Sequence, residues 1–109
     1  MIKILIVRNE IEQNTTYTMS GHAMYAKAGH DIVCAAVSSV CQAAYLGLTQ
    51  VLKYEIPVYK KDGYFKFKVP QAVLSDDKAK AITDTMVLAL KNMEISYGKY
   101  MRVETKEVR

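Results

Sequence analysis

The stretch Asp31–Leu52, DIVCAAVSSVCQAAYLGLTQVL, decides the fold, and it contains the longest mostly apolar run in the chain, Ile32–Leu48. Asp31 stands where a helix N-cap stands, so the run from Ile32 to Leu52 predicts one long helix. Apolar residues cover nearly the whole circumference of this helix, which therefore needs burial on all sides. In a domain of 109 residues a sheet covers one side only. A second helix or a second subunit must cover the other.

The residues on either side of this helix predict a single α+β domain spanning residues 1–109. Alternation, β-branched residues and turn signals, among them the turn Asp62-Gly63, give the remaining elements. In chain order we expect strands Met1–Val7 and Thr15–Met19, helix Ile32–Leu52, strands Ile56–Tyr59 and Tyr64–Val69, a helix capped by Ser75–Asp77 and ended by Gly98, and a strand Tyr100–Lys106. Pro57 lacks an N–H, so its strand lies at a sheet edge or begins there. The order β-β-α-β-β-α-β predicts a two-layer sandwich with the helices on one face of the sheet.

Charge and hydropathy limit the class of protein. Fifteen basic and eleven acidic residues give a net charge of +4, and half of the residues are hydrophobic. The apolar run is interrupted by Ser38, Ser39 and Gln42 and is too short to predict a membrane span, and the N-terminus does not resemble a signal peptide. We therefore expect a cytoplasmic protein with no membrane partner.

The basic surplus is spread along the chain, and its nearest approach to a cluster is Lys53, Lys60, Lys61, Lys66 and Lys68. Such lysines are typical of solvated strand and turn positions. The alternative interpretation is a weak attraction to RNA or to the ribosome surface. Direct binding of nucleic acid is not the expectation from the sequence.

Two cysteines share the predicted long helix but differ in their surroundings. They lie about 10 Å apart along its axis, beyond disulfide reach. Cys34 falls in the first turn, where the helix dipole favours a thiolate and where backbone N–H groups without partners could bind an oxyanion. Cys41 lies two turns later among alanine and valine. The pattern favours reactivity at Cys34 and packing at Cys41.

His22 follows the second predicted strand and opens a loop that leads to the helix start. An imidazole within reach of Cys34 could take the thiol proton and return it to a leaving amine. The loop has no periodic pattern and is bracketed by glycines, which suits a segment that closes over an extended substrate. The residues expected to face the substrate are Gly21, Ala23, Met24, Tyr25, Gly29 and His30.

Other interpretations of these residues remain open. A lone cysteine in an apolar helix is usually structural. His22, His30, Asp31 and Cys34 are all zinc-ligand types, although the helix start between His30 and Cys34 spoils their spacing, and we expect no metal and no cofactor. Asp31 is interpreted as a cap and Ser38 as a packing hydroxyl, each supporting the site rather than reacting.

The segments Gly21-His22-Ala23 and Gly29–Ser38 (GHDIVCAAVS) together resemble the signature of the ribosomal-processing cysteine proteases, a family of small bacterial proteins. The resemblance implies that Cys34 is the nucleophile and His22 the general base. It also implies a homodimer formed through the helices, in agreement with the apolar circumference of the first helix.

The resemblance further implies the substrate, a large-subunit ribosomal protein precursor (L-twenty-seven) that carries a short N-terminal extension. The family cuts after a pair of phenylalanines and before a small residue. The competing hypothesis is a ribosome- or RNA-associated binding module without enzymatic activity, for which the positive charge is the only support.

Overall fold

The computed structural model describes residues 1–22 and 31–109. Within these residues one five-stranded sheet has the order β3-β4-β2-β1-β5, antiparallel except for the parallel pair β1 and β5. The strands are β1 (Ile2–Asn9), β2 (Asn14–Ser20), β3 (Val58–Lys61), β4 (Tyr64–Pro70) and β5 (Met101–Val108); the helices are α1 (Ile32–Leu46), α2 (Gln71–Leu74) and α3 (Asp77–Tyr97). The predicted α+β class and element order are confirmed.

The strands alternate between a buried face and an open one, as a half-covered sheet requires. The buried sheet residues belong to one core with the inner sides of α1 and α3; on the strands these are Ile2, Ile4, Ile6, Thr15, Tyr17, Phe65, Phe67, Val69 and Met101. Tyr45 of α1 lies edge-on to Phe65 and Phe67 and donates its hydroxyl to the Ile56 carbonyl at 3.0 Å. Both long helices therefore lie on the same face.

Helix α1 begins at Ile32, as predicted, but one chain buries only its inner side. The residues that it buries, together with the turn that follows it, are Val33, Val37, Cys41, Ala44 and Leu48. On the solvent side Ile32 is 55% and Leu46 53% exposed. The burial on all sides that the apolar circumference predicts is thus not reached within a single chain.

The helical path continues past Leu46 as a π-helical turn, Gly47–Val51, in which the Leu52 N–H donates to the Gly47 carbonyl at 3.0 Å. A Cβ on Gly47 would lie 3.1 Å from Ile82 Cδ1, so the glycine permits the close approach of α3. The whole segment Ile32–Val51 has 20 residues, and a stretch of 18 residues within it has a mean hydropathy of 1.6. Among the described helices this segment alone is long and apolar enough to cross a membrane. The expectation that the apolar run is too short was wrong, because the helical path continues to Val51. The core helix of a soluble protein meets the same test, and the inner side of this helix packs into the core.

Two details differ from the prediction. The short helix α2 follows Pro70 and was not predicted, because four residues are too few to show a helical period. Strand β3 begins at Val58 rather than Ile56, directly after Pro57, and it is an edge strand as the proline indicated.

The start of α3 is stabilised by one carboxylate. Asp76 is the N-cap and accepts from the Lys78 N–H at 2.9 Å, and the Tyr54 hydroxyl donates to it at 2.6 Å. The Tyr54 hydrogen bond, followed by that from Lys78, lowers the pKa of Asp76 below its ordinary value. Because both bonds favour the ionised form, Asp76 links the stability of the fold to pH.

We predict that Asp76→Asn destabilises the fold at neutral pH and that this difference disappears in acid. The folded pKa lies below the unfolded one, so the contribution of the charge is fully present above about pH 4 and is lost as pH falls through the folded pKa. Urea unfolding of the wild type and of Asp76→Asn at several pH values measures the difference in the free energy of unfolding. Tyr54→Phe, which removes the main cause of the shift, should weaken the same pH dependence. An equal difference at pH 7 and in strong acid would contradict the assignment.

Candidate active site

Cys34 lies in the first turn of α1, where Asp31 holds its backbone. Asp31 has extended backbone angles (φ −78°, ψ 99°), and its carboxylate accepts from the Cys34 N–H at 3.0 Å. The expected N-cap is therefore present, and the Cys34 side chain is half-buried at the margin of the core. Since the Cys34 N–H is occupied by Asp31, the first-turn donors left for an oxyanion are those of Ile32 and Val33.

Cys41 has a different environment, as its position in the helix predicted. It is 4% exposed within the core, and burial raises the pKa of its thiol to about 12. A thiol with this pKa stays protonated at physiological pH and is a poor nucleophile. Both cysteines are free, so Cys34 is the accessible thiol of the pair.

His22 follows Gly21 just beyond the end of β2, and it lies against the turn between β3 and β4. The Gly21 N–H donates to the Gly63 carbonyl at 2.9 Å. A Cβ placed on Gly63 would come within 2.8 Å of His22 Nε2. The imidazole thus occupies the space that a side chain at residue 63 would need. The sequence marked Gly63 only as a turn residue, because this contact joins positions far apart in the chain.

Gly21 and Gly63, which lie on either side of His22, both have backbone conformations that favour glycine. Gly21 has φ +92° and a Cβ there would lie 2.4 Å from the Met1 carbonyl oxygen; Gly63 has φ +69°. These conformations are costly for residues with a side chain. Gly21, expected as a flexible bracket of the loop, is instead a point of close backbone contact.

Several candidate residues lie outside the described part of the chain: Ala23, Met24, Tyr25, Gly29 and His30, together with the predicted loop over the substrate. Between the described His22 and Cys34 side chains there is no hydrogen bond. In residues 1–22 and 31–109 no group of three or more histidine, cysteine, aspartate or glutamate side chains is placed to hold a metal ion.

Ser38, one turn after Cys34, belongs to a short chain of hydrogen bonds. Its hydroxyl accepts from Gln42 Nε2 at 2.6 Å, and Gln42 Oε1 accepts from Lys60 Nζ at 3.2 Å. The chain ties the exposed flank of α1 to the edge strand β3. The i, i+4 spacing of Ser38 and Gln42 is readable in the sequence, whereas the contact with Lys60 depends on the fold.

A polar cavity of about 800 Å³ lies at the opposite end of the sheet from His22. Its lining includes Arg8, Asn14, Lys80 and Asp84. Cys34 and His22 do not line this cavity, so the cavity is not the site of the expected cysteine protease chemistry.

Comparison with known proteins identifies a family. The model of the cysteine protease Prp family matches residues 1–102. The ribosomal processing cysteine protease Prp of Bacillus subtilis (strain 168) is 29% identical over 109 residues, which cover 96% of this chain and 97% of that protein.

Two crystal structures of an essential ribosomal processing protease Prp from S. aureus resemble the fold. The complex with a covalently linked product peptide has a TM-score of 0.85 at 29% identity, and the complex with a substrate peptide has a TM-score of 0.80 at 28% identity. Each covers 97% of this chain and 100% of the S. aureus chain. The likeness therefore includes the segments that carry His22 and Cys34.

We predict that Gly63→Ala displaces the His22 imidazole, because the new Cβ would overlap with its Nε2 atom. The left-handed backbone adds a cost on the order of 1 kcal/mol to folding. Imidazole ¹H–¹⁵N spectra should show shifted His22 signals in the folded variant. Asp62→Ala, in the same turn, is the matched control and should leave these signals unchanged. Unshifted His22 signals in folded Gly63→Ala would refute the contact.

Proposed function

The chain belongs to the cysteine protease Prp family and is a cysteine peptidase, and from this premise we propose that it removes a short N-terminal extension from large-subunit ribosomal protein L-twenty-seven. In this proposal Cys34 is the nucleophile and His22 is the general base. The reaction takes place in the cytoplasm during ribosome maturation. No cofactor takes part.

The contrast between the two cysteines carries the assignment of the nucleophile. A product peptide is covalently linked in the S. aureus relative, and a covalent product calls for a reactive side chain. In this chain Cys41 is buried with its pKa raised to about 12, whereas Cys34 is half-exposed in the first turn of α1. The carboxylate of Asp31 fixes that turn by accepting from the Cys34 N–H, so Asp31 positions the nucleophile.

The position of His22 supports its role as the base. His22 follows the end of β2 and precedes the segment that leads to α1. Its imidazole lies against Gly63 in the turn between β3 and β4. In the proposed reaction Cys34 Sγ attacks the scissile carbonyl carbon while His22 takes the thiol proton. His22 then gives this proton to the leaving amine as the C–N bond breaks, leaving a thioester. Water, deprotonated by His22, hydrolyses the thioester and regenerates the thiol.

The identity of the substrate rests on the relatives. Curated relatives from B. subtilis and S. aureus are ribosomal processing proteases, and the S. aureus protein has been seen with a substrate peptide. The resemblance in residues 21–38 extends this to a ribosomal protein precursor with two aromatic residues before the cut and a small residue after it. Residues Ala23, Met24, Tyr25, Gly29 and His30 are the proposed contacts for that peptide.

We also propose that the enzyme is a homodimer whose interface is the solvent side of the helix layer. Ile32 and Leu46 of α1 are more than half exposed, and Leu88 and Ile95 of α3 are 70% and 84% exposed. Both helices lie on the same face of the sheet, so these side chains point away from it. A second copy would cover an apolar surface that one chain leaves in water.

We predict that Cys34→Ala and Cys34→Ser abolish cleavage, and that His22→Ala lowers the rate by more than about a hundredfold, the usual contribution of a general base. The substrate is a peptide spanning the expected extension and cut site, and mass spectrometry reads the products. Cys41→Ala is the matched control; it should retain activity and lose some stability, because it removes only a buried sulfur.

Equal loss of activity in folded Cys34→Ala and Cys41→Ala would overturn the assignment of the nucleophile. Normal cleavage by His22→Ala would exclude His22 as the base and leave His30 as the next candidate. Cleavage of other peptides in place of the predicted one would retain the peptidase and reject the proposed substrate.

We predict a dimer by light scattering at micromolar concentration, and that Leu46→Asp shifts it toward monomer by placing a charge in the apolar interface. Ile11→Asp is the control, because Ile11 is 69% exposed in the turn between β1 and β2, away from the helix layer. A wild-type monomer, or equal dissociation by both variants, would contradict the proposed interface.

A further inference from the structure

The sheet face opposite the helices, here called the outer face, is formed by strand residues whose neighbours along each strand are buried in the core. In the described part of the chain no helix packs on it. The strand register aligns its residues in rows across the sheet. One row runs Lys61, Tyr64, Ser20, Lys3 and Arg102, from the edge strand β3 to β5. At about 4.8 Å between strands, this row is about 19 Å long.

The outer face carries the positive charge of the protein. The basic strand residues that point to this side are Lys3, Lys61, Lys66, Lys68, Arg102 and Lys106, and the acidic strand residue among them is Glu104. Elsewhere the sequence has nine basic and ten acidic residues, since the totals are 15 and 11. The surplus that is dispersed along the sequence is therefore gathered on one surface by the alternation of the strands.

Few of these charges are neutralised by neighbouring side chains. Lys68 Nζ lies 3.9 Å from Glu12 Oε2. Because both side chains are exposed, this ion pair contributes little to stability. Arg102 donates to the Gly98 carbonyl, and no acidic side chain of residues 1–22 and 31–109 forms an ion pair with it. A surface of this kind attracts a polyanion.

Aromatic rings accompany the lysines at the β3 and β4 end of the outer face. The Tyr59 and Tyr64 rings meet edge to face at 5.6 Å between centroids, and Lys61 Nζ lies within 6 Å of both centroids. Tyr59 is exposed, and the two rings line a shallow depression of about 610 Å³. Aromatic faces beside cations bind nucleic acid bases, because every base has a face that stacks.

We propose that the outer face binds single-stranded RNA, with the lysines on the phosphates and Tyr59 and Tyr64 on the bases. The centre of the face has hydroxyl groups, Thr16, Thr18 and Ser20, which can donate to phosphate and ribose oxygens. An anionic membrane would instead favour protruding apolar side chains beside the cations. Cys34 lies on the helix side of the sheet, whereas His22 lies against Gly63, next to Tyr64 at the margin of the outer face.

Fluorescence anisotropy with a labelled oligouridine of about 12 nucleotides tests the proposal, at salt concentrations between about 50 and 200 mM. The variant K3Q/K66Q/K68Q removes three outer-face charges. The variant K78Q/K91Q/K99Q removes three exposed lysines from α3 and the segment after it, and is the matched control for net charge. Circular dichroism and unfolding confirm that both variants are folded.

We expect K3Q/K66Q/K68Q to weaken binding and to reduce the slope of log affinity against log salt by about 2, since a single strand releases about 0.7 counterion per contact. The control should keep the wild-type slope. Tyr59→Ala should weaken binding at least about fivefold without changing the slope, because stacking is not ionic. If the first variant does not fold, K61Q/K106Q tests the same face with two charges.

Three outcomes would overturn the proposal. The first is no RNA binding by the wild-type protein at low salt. The second is equal weakening by the outer-face and control variants, which would indicate net charge rather than a surface. The third is binding to vesicles with anionic lipid through the outer-face lysines while RNA does not bind.

Discussion

A sheet has two faces, and the helices of this chain cover one of them. The buried residues of β1, Ile2, Ile4 and Ile6, meet α1 and α3 in a single core. The residues between them, Lys3 and Leu5, point to the outer face of the sheet, where polar and charged side chains remain in contact with water. The same constraint leaves the far side of the helix layer in water. One core therefore produces two different surfaces, an apolar one over the helices and a basic one over the strands.

The two surfaces suit different partners and do not compete for space. An apolar helix layer is suited to a second copy of the same chain, and a basic sheet face to a polyanion. The elements that carry the proposed chemistry lie at one end of this arrangement, where β2 ends at Ser20 and α1 begins after Asp31. Two contacts hold the junction: the N-cap of Asp31 on the Cys34 N–H, which is local in the chain, and the hydrogen bond from Gly21 to Gly63, which is not.

Features that depend on neighbours in the chain were predictable from the sequence, and features that depend on distant residues were not. The N-cap at Asp31, the Asp62-Gly63 turn, the edge position of β3 and the different settings of Cys34 and Cys41 follow from local patterns. The close approach of Gly47 to Ile82 and the contact of His22 with Gly63 each join segments that only the tertiary fold brings together. The gathering of lysines on one face likewise requires the strand register.

The parallel pairing of β1 with β5 has a consequence for biosynthesis. Ile2 pairs with Met101, so β1 finds this neighbour only after synthesis has reached residue 101. Contacts between such distant positions slow folding, because a long loop must close before they form. Until then β1 has a bare edge able to pair with other chains. A nascent copy stalled before residue 101 therefore has an incomplete sheet and a strand edge open to aggregation.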